Sequence, residues 1–333
     1  MSGKTKGKGA RPYRSGFCGA GNPPESHARC PGSYRGEACS CEHHTAPAPE
    51  AVSEVVQETE ATSYDGPAWV DYDMPEDAYH AHEGSVSASE LKRVLDCPAR
   101  YQHERQVPRQ PRTVFDVGHA AHAKVLGVGA PVTVIEVDHK RGNAWAIPAA
   151  EAREAGHTPL TRPEADATDA MAEAILKHPL ARLCLTGGDS EVSAFWHDPT
   201  HDVTRRARFD HLSGQVIGDL KTAASVTPRR LPRVVEDLGY DVSAAQYLDV
   251  ARGAGLDVDS FVLVWVEKSP PHLVVVTDLA PDWLDVGRAK CARALAAWRE
   301  CTDTGVWPGY LPGDAYLTLT RPRWAPDEGD PTS

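Results

Sequence analysis

The chain has 333 residues, 41% of them hydrophobic and 25% charged, with 35 Lys/Arg against 47 Asp/Glu and a formal net charge of −12. That composition describes a soluble globular protein with one large domain plus extras and argues against a membrane protein. No apolar run approaches the roughly 20 residues of a spanning helix, and the first residues, MSGKTKGKGARPYRSG, hold no signal-peptide core, so a cytoplasmic protein is expected.

Charge divides the chain into three regions. Residues 1–46 carry seven Lys/Arg and three Asp/Glu; residues 47–82 carry nine acidic side chains and no basic one; the remainder sums to −7. Residues 1–46 have almost no apolar material yet hold half the cysteines, Cys18, Cys30, Cys39 and Cys41, with His43 and His44 directly after. A segment so poor in core needs a staple in order to fold, and in a reducing compartment thiolate and imidazole suit Zn²⁺. Irregular spacing, with one C-x-C pair, separates it from familiar fingers, so an unliganded solubilising tail stays open beside zinc on Cys18, Cys30, Cys39, Cys41 and His43. Lys4, Lys6, Lys8, Arg11 and Arg14 just upstream suit phosphate contact. Residues 47–82, acidic and Pro-containing, are expected to be a disordered linker, and 83–333 the main domain.

From residue 84 the pattern is that of a folded domain. Ser87 and Glu90 form a capping-box signature ahead of the helical SASELKRVLD, which is expected to end at Cys97-Pro98. Further helices are expected over VGHAAHAKVLG and, as one unit, over EADATDAMAEAILKHPLARLCL. SEVSAFW, TRRARFDHL and QVIGDLKTA then read as strands, the last two joined near Ser213-Gly214 as a hairpin. A single helix is expected over VEDLGYDVSAAQYLDVARGAG, then strands FVLVWVE and HLVVVTDL and a last helix from Asp282 to about Thr302. This order predicts an α/β fold with one mixed sheet flanked by helices, not a doubly wound alternation.

Chemistry gathers on the three-stranded meander. Asp219 and Lys221 stand two apart on a strand, so carboxylate and ammonium project from one face. On the preceding strand Arg206, Arg208 and Asp210 share a face, and Glu191 on the first strand can join them. Three converging carboxylates repel unless a cation lies between them, and hard oxygen ligands beside a phosphate substrate indicate Mg²⁺ or Mn²⁺. The plainer reading of Asp-x-Lys is a cross-strand ion pair worth under about 1 kcal/mol. What favours chemistry is the order of its companions: Gly118-x3-His122, Glu191, Asp210, Asp219-x-Lys221, then a helix bearing Tyr247.

In this set the chain resembles the RecB and RecE branch of the PD-(D/E)xK nucleases, whose core is restriction-endonuclease-like, and within it the phage RecE-like exonucleases akin to exodeoxyribonuclease VIII. SASELKRVLDCPARYQ, FDVGHAAHAKVLG, RRARFD and IGDLKTA carry the likeness, over about residues 84–320. The resemblance implies that His122, Asp210, Asp219 and the Leu220 backbone carbonyl hold the metal, that Lys221 orients or deprotonates the attacking water, and that Glu191 supports the site or a second metal. It further implies a 5′ to 3′ exonuclease on linear double-stranded DNA, a RecT-like annealing partner and a homo-oligomeric ring. The family's Gln-x3-Tyr helix has Ser243 and Tyr247 at the matching positions here, with Gln246 offered as the replacement amide and all three as DNA contacts. Arg206 and Arg208 are expected to clamp phosphate, and Arg229, Arg230 and Arg233 either track DNA or form a solvated loop. Two other functions stay open: a RecB-type single-strand or structure-specific nuclease, with Cys97 opening an iron–sulfur site, and a catalytically inactive DNA-binding recombination scaffold.

Overall fold

The structure is a computed structural model that describes residues 33–34, 37–38, 67–107, 115–311 and 313–322. Cys18, Cys30, Cys39, Cys41 and His43 lie outside the described residues, and with them the zinc expectation. In chain order the elements are β1 (Ser33–Tyr34), β2 (Glu37–Ala38), β3 (Ala68–Asp71), α1 (Glu76–Ala81), β4 (Ser85–Ser87), α2 (Ala88–Asp96) and α3 (Pro98–Gln106). There follow α4 (Asp116–Leu126), β5 (Val132–Ile135), α5 (Asn143–Glu154), β6 (Thr158–Thr161), α6 (Arg162–Lys177) and α7 (Pro179–Leu185). The meander is β7 (Asp189–Asp198), β8 (Val203–Ser213) and β9 (Val216–Ala223); α8 (Leu231–Leu238), α9 (Tyr240–Gly253), β10 (Ser260–Glu267), β11 (Val274–Asp278) and α10 (Pro281–Thr304) complete the domain.

The principal sheet runs β11-β10-β9-β8-β7-β3, with β4 attached to β8. The α8–α9 crossover makes β10 parallel to β9, while β8 is antiparallel to β7 and to β9, so the sheet is mixed as expected. On one face Val192, Ala207, Phe209, Ile217 and Leu263 pack with Ala244, Leu248 and Ala251 of α9. On the other, Leu220, Val264 and Val266 pack with Ala121 and Val125 of α4, Met171 and Ile175 of α6, and Leu185 of α7. Alternating side chains therefore bury both faces of the central strands between helix layers.

β8 is forked. It pairs with β9 only through His211–Ser213 and with β4, in parallel, through Thr204–Arg206, which leaves the edge open over residues 207–210. Gln246 of α9 bridges the β4 side of the fork: its amide donates to the carbonyls of Val86 (3.1 Å) and Arg206 (3.3 Å), and its oxygen accepts from Arg205 Nε (2.8 Å). α2 begins with the expected capping box, Ser87 and Glu90 each satisfying the other's backbone N–H.

Several expectations change. Both long helices are broken. Pro179 supplies no N–H and opens α7 as a separate helix, with His178 as its side-chain cap, and Gly239 adopts the left-handed conformation (φ 62°) that ends α8 before α9 turns away. The chain restarts as α3 directly at Pro98, a favoured first helical position. Residues 68–81, assigned above to the linker, belong to the fold: β3 pairs with β7 from Ala68↔Trp196 to Asp71↔Ser193, Trp69 stacks on Phe195 at 4.5 Å, and Met74 and Tyr79 bury against the same ring. Composition hid this because only a few large side chains anchor an otherwise acidic stretch. Among the described residues no helix is long and apolar enough to cross a membrane.

Two outcomes follow for stability. Gln246→Leu leaves two buried carbonyls without their donor and should cost about 2–4 kcal/mol, read from urea unfolding. Removing residues 67–82 together with everything before them strips β3 and α1 from Phe195 and should lower the melting temperature by several degrees in calorimetry.

Candidate active site at the fork of the sheet

Where β8 and β9 separate, the peptide groups of Leu220 face the gap instead of a neighbouring strand. Two side chains meet them. Asp210 Oδ2 accepts the Leu220 N–H at 2.8 Å, and His122 Nε2 lies 2.6 Å from the Leu220 carbonyl oxygen and 3.2 Å from Asp210 Oδ2. A buried backbone pair that has lost its ladder partner is expensive unless replaced, so the fork itself requires polar side chains here. His122 is carried by α4, whose Ala121 and Val125 anchor it to the sheet. His122, the histidine at the Gly118-x3 spacing, is thus the one that reaches Leu220; His119, one turn earlier, lies against Phe115 and lines the cleft.

Asp219 is 3% exposed and forms an ion pair with Lys221, whose Nζ also stands 5.4 Å from the centre of the Tyr240 ring and 3.5 Å from the Leu220 carbonyl. Burial raises the Asp219 carboxyl above the usual carboxylate range, partly offset by Lys221. Burial works against the charge on Lys221, but Asp219 and Asp210 outweigh it and keep the ammonium protonated well above its ordinary range. Desolvation likewise opposes charge on Asp210, and His122, Lys221 and the Leu220 N–H prevail, so it remains an anion. For His122, burial is outweighed by Asp210, which leaves the imidazole more basic than usual.

Glu191 sits in β7 with φ 58°, a strained backbone for a non-glycine residue, and its carboxylate accepts from Arg208 Nε at 2.6 Å. Burial, then Asp210, raises its proton affinity. Arg208 also donates to the Met74 carbonyl (2.9 Å) and Ser193 Oγ (2.7 Å), which ties the β3–α1 segment to the site. His122, Glu191 and Arg208 share a cleft of about 570 Å³ with Glu76, His80 and His119.

The other expected site residues fall elsewhere. Arg206 is 2% exposed and bound to Glu90 (2.7 Å) and to Ser85 through its carbonyl and hydroxyl (2.6 and 2.7 Å), so it holds α2 to the sheet instead of meeting phosphate. The reason is β4, which the sequence did not announce and which covers that end of the row. Gln246 is wholly buried in the fork and contacts no open space. Ser243 Oγ accepts from Lys92 (3.0 Å), and Tyr247 packs edge-on between Phe209 and Phe261. Arg229, Arg230 and Arg233 are exposed, with Arg233 paired to Asp237. Cys97, Cys291 and Cys301 are buried in the core, and burial pushes the Cys291 thiol up to about 12, which suits packing and not cluster ligation. Lys92 and Tyr240, both close to Lys221, were missed: a lysine on an amphipathic helix and a tyrosine after a glycine carry no spacing signal.

The expected meeting of three free carboxylates is not found. Glu191 is turned to Arg208 and Asp219 to Lys221, and among the described residues no three His, Cys, Asp or Glu side chains cluster tightly enough to hold an ion by themselves. A divalent cation nevertheless suits what is present. The Leu220 carbonyl oxygen and Asp210 Oδ2 lie 2.6 and 3.2 Å from His122 Nε2, with the buried Asp219 carboxylate in electrostatic reach of Asp210 and His122, and carboxylate, carbonyl and imidazole are donors that Mg²⁺ and Mn²⁺ accept.

A candidate exonuclease from Eubacterium rectale superposes with a TM-score of 0.52 at 14% identity over 75% of this chain and 96% of its own. A phage-related exonuclease from Haemophilus somnus (13% identity, 68% and 99% covered) and an alkaline exonuclease from Laribacter hongkongensis (13%, 69% and 97%) give TM-scores of 0.31 and 0.30. No curated protein matches the sequence. Residues 87–318 match the PDDEXK-like domain of unknown function DUF3799, and the chain belongs to that PDDEXK-like family.

Proposed function

We propose that the protein is a metal-dependent exodeoxyribonuclease that hydrolyses phosphodiester bonds of linear double-stranded DNA. The observation that carries this reading is the convergence of Asp210 and His122 on both backbone groups of Leu220, directly beside the buried Asp219–Lys221 pair. His122, Asp210, Asp219 and the Leu220 carbonyl would hold Mg²⁺ or Mn²⁺, which neutralises phosphate oxygens and acidifies a bound water. Lys221, kept protonated by its carboxylates, orients the attacking water and opposes charge on the phosphate. Arg208 presents a cation at the cleft wall and, by binding Glu191, holds that carboxylate away from incoming phosphate. With a net charge of −12, DNA must be drawn to this local patch and not to a generally basic surface.

The 5′ to 3′ polarity, the 3′ single-stranded product, the RecT-like partner and the ring assembly are part of the proposal and rest on the motif resemblance. Zinc binding by the N-terminal cysteines is a separate proposal, supported by residue chemistry alone. An inactive scaffold is the weaker reading, because Asp219 and Lys221 are both present and paired.

End-labelled linear and covalently closed circular duplexes, incubated with Mg²⁺, Mn²⁺ or EDTA, test the activity. Linear DNA alone should be lost, EDTA should abolish the loss, and Asp219→Ala and Lys221→Ala should each lower the rate by at least about 10²-fold; intact DNA in every metal despite binding would favour the scaffold. His122→Ala should raise the Mn²⁺ concentration for half-maximal rate by about tenfold or more, seen also in direct Mn²⁺ titration by calorimetry.

A further inference from the structure

We propose that the pocket between α2, the α8–α9 corner and α10 is a backbone-phosphate subsite for DNA, anchored by Lys92 and Arg293, beside the Tyr240 ring that the catalytic lysine also approaches. The proposal rests on the nuclease reading and adds a second contact point to it. Lys92 Nζ and Lys221 Nζ both approach one aromatic ring, standing 5.6 and 5.4 Å from the Tyr240 centre, so the pocket's lysine and the lysine of the site share a single neighbouring side chain. Beyond Lys92 opens a pocket of about 310 Å³ with Leu95, Leu238 and Val242 in its wall.

Its lining carries three cations, Lys92, Lys290 and Arg293, against three carboxylates, Asp96, Glu236 and Asp237, but the pairing among them is uneven. Each carboxylate in the lining already has a cation: Asp96 is bound by Arg100 (2.9 Å), Glu236 by Lys290 (3.0 Å) and Asp237 by Arg233 (3.4 Å). Lys290 is further committed to the buried Asp241 (2.8 Å). Lys92 and Arg293 are left with no carboxylate at ion-pair distance among the described residues, and Arg293 stands exposed at the rim. Lys92 spends two of its three N–H donors on Ser243 Oγ (3.0 Å) and the Leu238 carbonyl (3.2 Å), which fix its position and leave the third for a ligand. Burial, then Lys221, pushes the Lys92 ammonium down to about 8, a cost that an anion in the pocket would relieve. Two unpaired cations beside a phosphodiester-cleaving centre match the spaced negative charge of a nucleic-acid strand.

The test is the salt dependence of duplex binding by the full-length protein in EDTA, where no cleavage occurs, for wild type, Arg293→Ala, Lys92→Met and Lys92→Arg. Each lost phosphate contact should reduce the slope of log K against log salt by about 0.9. Arg293→Ala, at an exposed position, and Lys92→Met should each show that loss with about tenfold weaker binding, and Lys92→Arg should restore most of it. In Mg²⁺, KM should rise more than kcat falls. If wild type digests linear DNA while both loss variants keep its slope and affinity, the subsite is wrong and the nuclease stands. If wild type neither binds nor digests DNA, the nuclease reading fails and takes the subsite with it.

Discussion

The Leu220 peptide is the constraint on which the rest of the site depends. A strand in mid-sheet normally satisfies its backbone on both sides, and β9 does so toward β10, but the divergence of β8 leaves one side to be filled by side chains. Asp210 and His122 fill it, and by doing so they arrive with fixed geometry beside Asp219 and Lys221. The hydrogen bonds that repair the sheet and the donors a cation would use are the same atoms. Structure and chemistry are therefore served by one arrangement, whose pre-organisation comes from the fold and does not await substrate.

Around this point the domain buries charge in pairs: Arg206 with Glu90, Arg205 with Asp198, and Asp219 with Lys221. Replacing one member of such a pair leaves the other uncompensated, and the loss exceeds what the pair contributes when intact. Arg206 and Gln246 show how a residue that looks suited to DNA is consumed by the scaffold. Both are needed where β4 joins β8, because a short parallel strand and the N-terminus of α2 bring more backbone polar groups to that edge than its ladder can pair. Close packing limits this region too: a Cβ on Gly218 would stand 2.3 Å from the Cys184 carbonyl, so α7 and β9 touch through backbone.

Much of this was legible from residue order. The alternation in β7, β8 and β9, the capping box of α2 and the spacing of Gly118 to His122 located the sheet, a helix start and the histidine, because each is a local pattern with a local cause. Illegible were the long-range consequences. Nothing in RRARFD says that β4 will cover Arg206, and nothing in the acidic stretch near residue 70 says that Trp69 will stack on Phe195. Helix breaks at Pro179 and Gly239 were readable in principle, but continuous apolar periodicity on both sides outweighed a single punctuating residue. The role of Ser243 emerged only with its partner Lys92, 151 positions away in sequence.

The edge strand β3 is joined to the sheet by four register pairs, and the helix that follows it supplies Glu76 and His80 to the cleft wall. A load that peels β3 away from β7 at its N-terminal end would part the register pairs in order, from Ala68 and Trp196 to Asp71 and Ser193, the way a zipper opens. The load would meet the Met74 carbonyl, and with it the Arg208 contact, before it reached the hydrophobic centre of the domain. Such peeling would thus disturb the rim of the cleft before it reached the main core.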